Sequence, residues 1–180
     1  MNKQLIRTSK ALSKFLRHNP EQIGITLKEG GWADVTALLN GLKKVGLNIN
    51  FVDLKEIVVT NDKKRFSFSE DEKLIRANQG HSLKVDLQLK AIKPPDTLYH
   101  GTAERFMPSI KKEGLIKRNR HHVHLTENIE TAKNVGRRYG KIVLLKINTK
   151  QMHQDGYKFY CSTNGVWLVD EVLPKYYVIS

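Results

Sequence analysis

The chain has few of the residues that build disulfide frameworks, metal clusters or membrane spans. Its 180 residues include one cysteine, Cys161, which excludes an internal disulfide and is expected to be a small core residue in a reducing compartment. No run of 18 or more apolar residues occurs, so the sequence predicts no membrane-spanning helix. We therefore expect a soluble, cytoplasmic protein, and a monomer.

Glycine-rich phosphate loops are missing and acidic residues are scarce. Neither a Walker nor a Rossmann glycine pattern occurs, so any nucleotide is expected to bind in another way. The chain has 31 Lys and Arg against 18 Asp and Glu, a formal net charge of +13. Such an excess attracts nucleic acid or an anionic membrane, although a merely basic surface has the same composition.

One stretch is typical of a linker, residues 90–96, which contain Pro94 and Pro95. Neither a helix nor a central strand is expected to cross two consecutive prolines. We therefore predict a first lobe over residues 1–92 and a second lobe over residues 93–180.

The first lobe is predicted to be mainly helical. Apolar spacing predicts a helix over residues 2–18, with Arg17 and His18 in its last turn, because Asn19 precedes a proline. Asp34 is expected to cap a second helix and Asp53 a third. Alternating residues then predict a β-hairpin, with strands at 65–69 and 74–77. Three helices followed by a hairpin are typical of a winged-helix domain, a common nucleic-acid-binding shape.

The second lobe is predicted to be mostly antiparallel β-structure with few helices, so the fold class is α+β. Predicted strands cover residues 98–102, 122–125, 141–147, 157–161, 166–169 and 176–179. One helix is expected over 105–112. Thr126 is expected to cap another, with a buried side formed by Ile129, Ala132, Val135 and Tyr139.

Five short blocks carry arginine or histidine with almost no acidic residues: 15–20 (FLRHNP), 61–66 (NDKKRF), 76–82 (RANQGHS), 99–102 (YHGT) and 120–125 (RHHVHL). Guanidinium and imidazole groups without carboxylates suit a site that binds phosphate, whereas a metal or glycosidase site would need Asp or Glu. Each block alone also fits a solvated helix end, a surface arginine or an ordinary turn.

Some blocks suggest particular contacts. Arg76, Gln79 and His81 lie in or beside a polar loop that could touch phosphate or ribose. Gly101 follows a histidine at a strand end, where glycine lets a ligand approach the backbone. His122 and His124 share one face of a predicted strand, a pattern that can bind zinc. We do not favour a metal, because no cysteine or carboxylate is nearby in sequence and Arg120 would oppose a dication.

Taken together in order, the blocks resemble the NAD⁺-dependent RNA 2′-phosphotransferase family. The matching segments span nearly the whole chain: 9–18 (SKALSKFLRH), 61–66 (NDKKRF), 76–82 (RANQGHS), 99–102 (YHGT) and 120–125 (RHHVHL). The resemblance implies an N-terminal RNA lobe of winged-helix type and a C-terminal lobe of ADP-ribosyltransferase type that holds NAD⁺.

The resemblance also implies roles for individual residues. The catalytic quartet carries over to Arg17, His18, Arg65 and Arg120. His100 matches a ribose-binding histidine, and we expect the NAD⁺ contacts to be His100, Gly101, Thr102, His122 and His124. The RNA contacts are expected to be Arg76, Gln79 and His81. Val166 stands where ADP-ribosyltransferases carry a catalytic glutamate, which argues against ADP-ribosylation of proteins.

The implied reaction has two steps and uses NAD⁺ as a co-substrate, with no metal. An internal RNA 2′-phosphate, as at a tRNA splice junction, displaces nicotinamide and becomes ADP-ribosylated; the ribose 2″-hydroxyl then attacks the phosphorus. The products are RNA with a 2′-hydroxyl and ADP-ribose 1″,2″-cyclic phosphate. This scheme requires the arginines and histidine of both lobes to converge on one anion-holding cleft. Two alternatives stay open: an ADP-ribosyltransferase that caps nucleic-acid phosphates, and a non-catalytic basic RNA-binding module.

Overall fold

Helices and antiparallel sheets are mixed along the chain, so the fold class is α+β, as predicted. The structure is a computed structural model that describes residues 3–61 and 63–180. The predicted helix start at Asn2 and Asp62 of the second block lie outside these residues. The chain divides into two compact units after Gln88, a few residues before the predicted joint. No helix in the two described ranges has both the length and the apolar character needed to cross a membrane.

The first unit begins with helix α1, Lys3–Arg17, whose buried face includes Leu12 and Leu16. The helix ends one residue earlier than predicted, so His18 lies just beyond its last turn. Asn19 has an extended φ of −141°, as expected before proline, and Pro20–Ile23 then form a short 3-10 helix.

Two further helices follow, α2 (Val35–Lys44) and α3 (Phe51–Val59). Asp34 caps α2 as predicted, because its Oδ1 accepts a hydrogen bond from the Ala37 amide at 2.8 Å. The prediction that Asp53 caps α3 was wrong: the cap is Asn50, whose Oδ1 accepts from the Asp53 amide at 2.9 Å. Asp53 returns a bond to the Asn50 amide, which completes a capping box.

A three-stranded antiparallel sheet completes the first unit. Its strands are β1 (Trp32–Asp34), β2 (Phe66–Phe68) and β3 (Leu74–Ala77), in the order β1-β3-β2. The β2–β3 hairpin was predicted, whereas β1 was not. Buried Ile75 and Ala77 of β3 pack into the same core as the helices.

The second unit contains a three-stranded sheet in the order β11-β7-β4, made of β4 (Thr97–Ala103), β7 (Ile142–Asn148) and β11 (Tyr177–Ile179). A second sheet has the order β6-β9-β8, from β6 (Val123–Leu125), β8 (Tyr160–Cys161) and β9 (Trp167–Val169). Two short strands, β5 (Leu115–Ile116) and β10 (Glu171–Val172), pair separately. All of these pairings are antiparallel, as expected.

Three helices accompany these sheets: α4 (Met107–Glu113), α5 (Ile129–Gly136) and α6 (Thr149–Gln154). The cap of α5 is Asn128 rather than Thr126, since its Oδ1 accepts from the Thr131 amide at 2.8 Å. Ile129 and Tyr139 were expected on the buried side of this helix but are largely exposed. Cys161, predicted in the core, is only half-buried.

Candidate active site

The loop over residues 78–82, which follows β3, holds the end of α1 in the first unit. The Ser82 amide donates to the Arg17 carbonyl at 3.1 Å, and the Ser82 Oγ lies 2.8 Å from the His18 Nδ1. Gly80, with φ +85°, brings the backbone close to the Arg17 guanidinium: a Cβ there would lie 3.6 Å from Nη1. One loop therefore holds both Arg17 and His18 at the helix end.

The same loop also holds the segment that carries Arg65. The Asn78 amide donates to the Arg65 carbonyl at 2.9 Å, and the buried Asn78 side chain donates to the Lys64 carbonyl at 2.6 Å. Buried Asn61 accepts at Oδ1 from the Arg65 amide (3.3 Å) and from Arg65 Nη1 (3.4 Å). Residues 78–82 thus connect Arg17, His18 and Arg65, three of the four predicted catalytic residues.

Arg76 and His81 pack instead against the turn formed by Gly30 and Gly31. The Arg76 guanidinium lies 4.5 Å from the Trp32 ring centroid and its Nη1 donates to the Gly30 carbonyl at 3.5 Å. Desolvation lowers the pKa of Arg76. His81 is 2 % exposed, with its Nε2 3.4 Å from where a Gly31 Cβ would lie. Both side chains therefore have packing roles in this turn.

Gln79 differs from these two residues. Its Oε1 is buried and accepts no hydrogen bond from any part of the chain that the structure describes. A buried acceptor without a donor costs about 1–3 kcal/mol. A carbonyl oxygen cannot bind phosphate directly, so a hydroxyl donor is the group that this atom suits.

In the second unit, Arg120, His124 and His100 form a chain of hydrogen bonds. Arg120 Nη1 lies 3.2 Å from His124 Nδ1, and His100 Nδ1 lies 2.9 Å from the His124 carbonyl. Arginine can only donate, so Nδ1 of His124 is the acceptor in this bond. His100 must donate to the carbonyl, which places one proton on its Nδ1.

The protonation of His100 follows from its surroundings. Burial lowers its pKa; the bond to the His124 carbonyl opposes this, and the nearby charge of Arg120 lowers the pKa further. The neutral ring, protonated at Nδ1, leaves Nε2 as a hydrogen-bond acceptor. This is the chemistry that recognises a sugar hydroxyl rather than a phosphate oxygen.

Comparison with known proteins places the chain in a family. Residues 3–171 match the model of the RNA 2′-phosphotransferase, Tpt1 / KptA family. The chain belongs to this family. A probable RNA 2′-phosphotransferase of Trichormus variabilis is 52% identical over 171 residues, covering 95% of this chain and 94% of the relative. Similarly named proteins of Nostoc punctiforme (52%, 96% of each chain) and Hahella chejuensis (51%, 98% and 95%) match over nearly their full lengths.

The match to the RNA 2′-phosphotransferase family includes every residue predicted for the site, from Arg17 to His124. His122, however, lies just before β6 rather than within it. Its ring is 5.5 Å from that of Tyr160, centroid to centroid. Burial lowers the pKa of His122; Asp170 opposes this, while His121 and Lys117 reinforce it.

No group of three or more metal-ligating side chains occurs in the two ranges that the structure describes. Two nearby contacts explain why the paired histidines do not form one. Nδ1 of His124 is occupied by Arg120, and Asp170, the carboxylate near His122, is 3.1 Å from Lys117 Nζ.

Gly101 has a packing role that the sequence did not predict. A Cβ on Gly101 would lie 1.7 Å from the carbonyl oxygen of Ala132 in α5, so the helix leaves no room for a side chain there. Gly136 of the same helix meets β4 in the same way, since its Cβ would lie 2.7 Å from the oxygen of Thr102. Thr102 itself is 5 % exposed. Gly101 and Gly136 together let α5 cross β4 at backbone distance.

Sequence reasoning missed the residues that position the site. Asn61, Asn78 and Ser82 lie inside the blocks but were not singled out, because the arginines and histidines beside them carry the obvious chemistry. Their signal was the presence of short hydrogen-bonding side chains in the loops that precede β2 and follow β3.

Proposed function

We propose that the chain is an NAD⁺-dependent RNA 2′-phosphotransferase. It would transfer an internal 2′-phosphate from RNA to NAD⁺, giving 2′-hydroxyl RNA, ADP-ribose 1″,2″-cyclic phosphate and nicotinamide. The observation that carries the proposal is the cluster of Arg17, His18 and Arg65 around one loop, in a chain of the RNA 2′-phosphotransferase family.

The cluster suits the transfer of a phosphoryl group from RNA. The RNA 2′-phosphate is itself the first nucleophile, so the protein needs no nucleophilic side chain. Arg17, Arg65 and Arg120 would bind the phosphate oxygens and stabilise the charge that develops on them in the second step. His18 would donate to the phosphate or move the proton of the attacking hydroxyl.

Ser82 gives His18 a defined orientation for this role. Its hydroxyl lies 2.8 Å from Nδ1, so the two ring nitrogens of His18 have different surroundings.

The residues of the second unit fit NAD⁺ as the co-substrate, which supplies the sugar that accepts the phosphate. His100 offers an acceptor at Nε2 to a ribose hydroxyl, and the bond to the His124 carbonyl keeps this tautomer. His124 accepts a hydrogen bond from Arg120 through Nδ1. Thr102 and Gly101 shape the strand that carries His100, and His122 lies against Tyr160.

We assign the RNA contacts and the domain types on the same basis. Gln79 Oε1 would accept a hydrogen bond from an RNA ribose hydroxyl, whereas Arg76 and His81 would support the site through the turn at Gly30. The first unit would be a winged-helix RNA-binding domain, and the second an ADP-ribosyltransferase-type domain. A tRNA splice junction in the cytoplasm is the substrate that the family resemblance favours.

Incubation with a 2′-phosphorylated oligonucleotide, with and without NAD⁺, tests the proposal. We expect nicotinamide to be released only when both NAD⁺ and the 2′-phosphate are present, in amounts equal to the 2′-hydroxyl RNA formed. A stable ADP-ribosylated RNA would identify a capping ADP-ribosyltransferase instead. Binding of RNA with no turnover of NAD⁺ would identify a non-catalytic module.

A further inference from the structure

Helix α1 carries an exposed row of cations that leads to His18. The helix contains basic residues and no acidic residue. Arg7, Lys10 and Lys14 are exposed and, with His18, follow the spacing i, i+3, i+7 and i+11, which places them on one face. We call Arg7, Lys10 and Lys14 the α1 stripe. It extends over about 10 Å, at 1.5 Å per residue.

The α1 stripe lies opposite the core-facing side of the helix, where Leu5, Leu12 and Leu16 are buried. None of the ion pairs found among residues 3–61 and 63–180 involves a member of the stripe. Lys14 Nζ lies 5.6 Å from the centroid of the Phe15 ring, a contact that leaves its charge uncompensated. The stripe is therefore a line of positive charge available to a polyanion.

Two other elements of this unit that could bind nucleic acid are less suitable. Helix α3 carries Asp53 and Glu56, and its lysine, Lys55, is 2.7 Å from Glu72. The turn of the β2–β3 hairpin is acidic, with residues 70–72 reading EDE. Both elements would repel phosphate. In a winged-helix fold, however, the third helix and the hairpin are the elements that would be expected to bind nucleic acid.

We infer that the α1 stripe binds the phosphodiester backbone of the RNA strand that adjoins the 2′-phosphate. This inference rests on the proposed function, which assigns Arg17 and His18, at the end of the same helix, to the 2′-phosphate. The stripe continues the line of cations away from that group. It would increase affinity without reading sequence, because backbone contacts carry no base information.

The test compares two double variants with equal loss of charge. Lys10→Gln/Lys14→Gln removes two stripe cations, and Lys43→Gln/Lys44→Gln removes two exposed cations from the last turn of α2. The substrates are a single-stranded 2′-phosphorylated decanucleotide and a 2′-phosphorylated dinucleotide, which is too short to follow the helix. Activity is measured between about 50 and 200 mM salt, a range over which the affinity depends strongly on the number of phosphate contacts.

For the stripe variant we expect a KM for the decanucleotide about twentyfold higher near 0.1 M salt. Each lost single-strand phosphate contact reduces the slope of log affinity against log salt concentration by about 0.7. This corresponds to an affinity about fivefold lower at 0.1 M salt, relative to the affinity at 1 M salt. The slope should therefore fall by about 1.4, with kcat unchanged and dinucleotide kinetics within about twofold of wild type. The control variant should show a much smaller change in slope.

Equal effects of the two variants on the decanucleotide would overturn the inference, as would an equal loss of activity on the dinucleotide. A stripe variant that keeps its RNA affinity but no longer binds anionic phospholipid vesicles would assign the stripe to a membrane and also overturn it. Fluorescence anisotropy of RNA binding without NAD⁺ separates this test from the proposed function. If the wild type binds RNA with the expected salt slope yet transfers no phosphate, the proposed function fails while the stripe stands.

Discussion

Replacing Ser82 by alanine tests how the loop over residues 78–82 positions His18. The change removes the 2.8 Å contact between the Ser82 Oγ and His18 Nδ1 but keeps the backbone bond from the Ser82 amide to Arg17. His18 would keep its place at the end of α1 and lose the contact with the Ser82 hydroxyl.

The expected cost follows from one hydrogen bond. The net value of such a bond is about 0.5–1.5 kcal/mol, which corresponds to roughly a twofold to tenfold lower kcat. His18→Ala, which removes the group itself, should lower the rate about a hundredfold, at about 3 kcal/mol. Ser82→Ala should therefore lie clearly between wild type and His18→Ala, and Ser82→Thr, which keeps the hydroxyl at this exposed position, should restore the rate.

Single-turnover kinetics with a 2′-phosphorylated oligonucleotide and saturating NAD⁺ give the rate of the chemical step. Ser109→Ala is the matched control, since Ser109 Oγ donates to the Phe106 carbonyl at 3.0 Å in the second unit and neither residue is assigned a role in the reaction. A wild-type rate for Ser82→Ala would refute the positioning role. A loss as large as that of His18→Ala would also refute it, because it would mean that Ser82 contacts the substrate directly.

Three other changes have defined outcomes. Arg65→Ala should lower kcat about a hundredfold with little change in thermal unfolding, compared with exposed Arg138→Ala as the control; a wild-type rate would remove Arg65 from the site. Gly101→Ala should destabilise the fold by at least about 1–3 kcal/mol in urea unfolding, because its Cβ would overlap the Ala132 carbonyl, and an unchanged midpoint would contradict this packing. The pKa of His100 is lowered from 6.5 in the folded state, so below about pH 6.5 the unfolded chain binds more protons than the folded protein. The free energy of unfolding should therefore fall as the pH decreases from there toward the folded-state pKa. His100→Gln should flatten this dependence in unfolding curves at pH 7.5 and 5.5 (values chosen about one unit either side of the ordinary pKa), and an identical pH dependence would count against the assignment.

Local signals in the sequence predicted much of the fold because their physics is local. Pro20 ends α1, Asp34 caps α2, and the alternation on either side of residues 70–72 gives the β2–β3 hairpin. The signals failed where two neighbouring candidates compete. Asn50 and Asp53 share one capping box, and sequence alone did not show which residue lies outside the helix.

Features that depend on distant partners could not be predicted. Strand β1 has three residues and exists because Trp32–Asp34 pair with β3, whose partner residues are 40 to 44 positions away. Gly101 needs its missing side chain because α5 crosses β4, a contact that no local pattern encodes.

The candidate site shows the same division between local and distant signals. The family resemblance predicts catalytic roles for Arg17, His18, Arg65 and Arg120, but the role proposed for Ser82 depends on a contact made across 64 residues of chain. The tautomer of His100 likewise depends on the His124 carbonyl, 24 residues away.

The fate of the phosphate tests the central claim most directly. An RNA oligonucleotide labelled with ³²P only at its internal 2′-phosphate is incubated with the enzyme and NAD⁺, and the labelled products are separated. We expect all released label to appear in ADP-ribose 1″,2″-cyclic phosphate and no label to be released when NAD⁺ is omitted. Label recovered as inorganic phosphate, or released without NAD⁺, would contradict it.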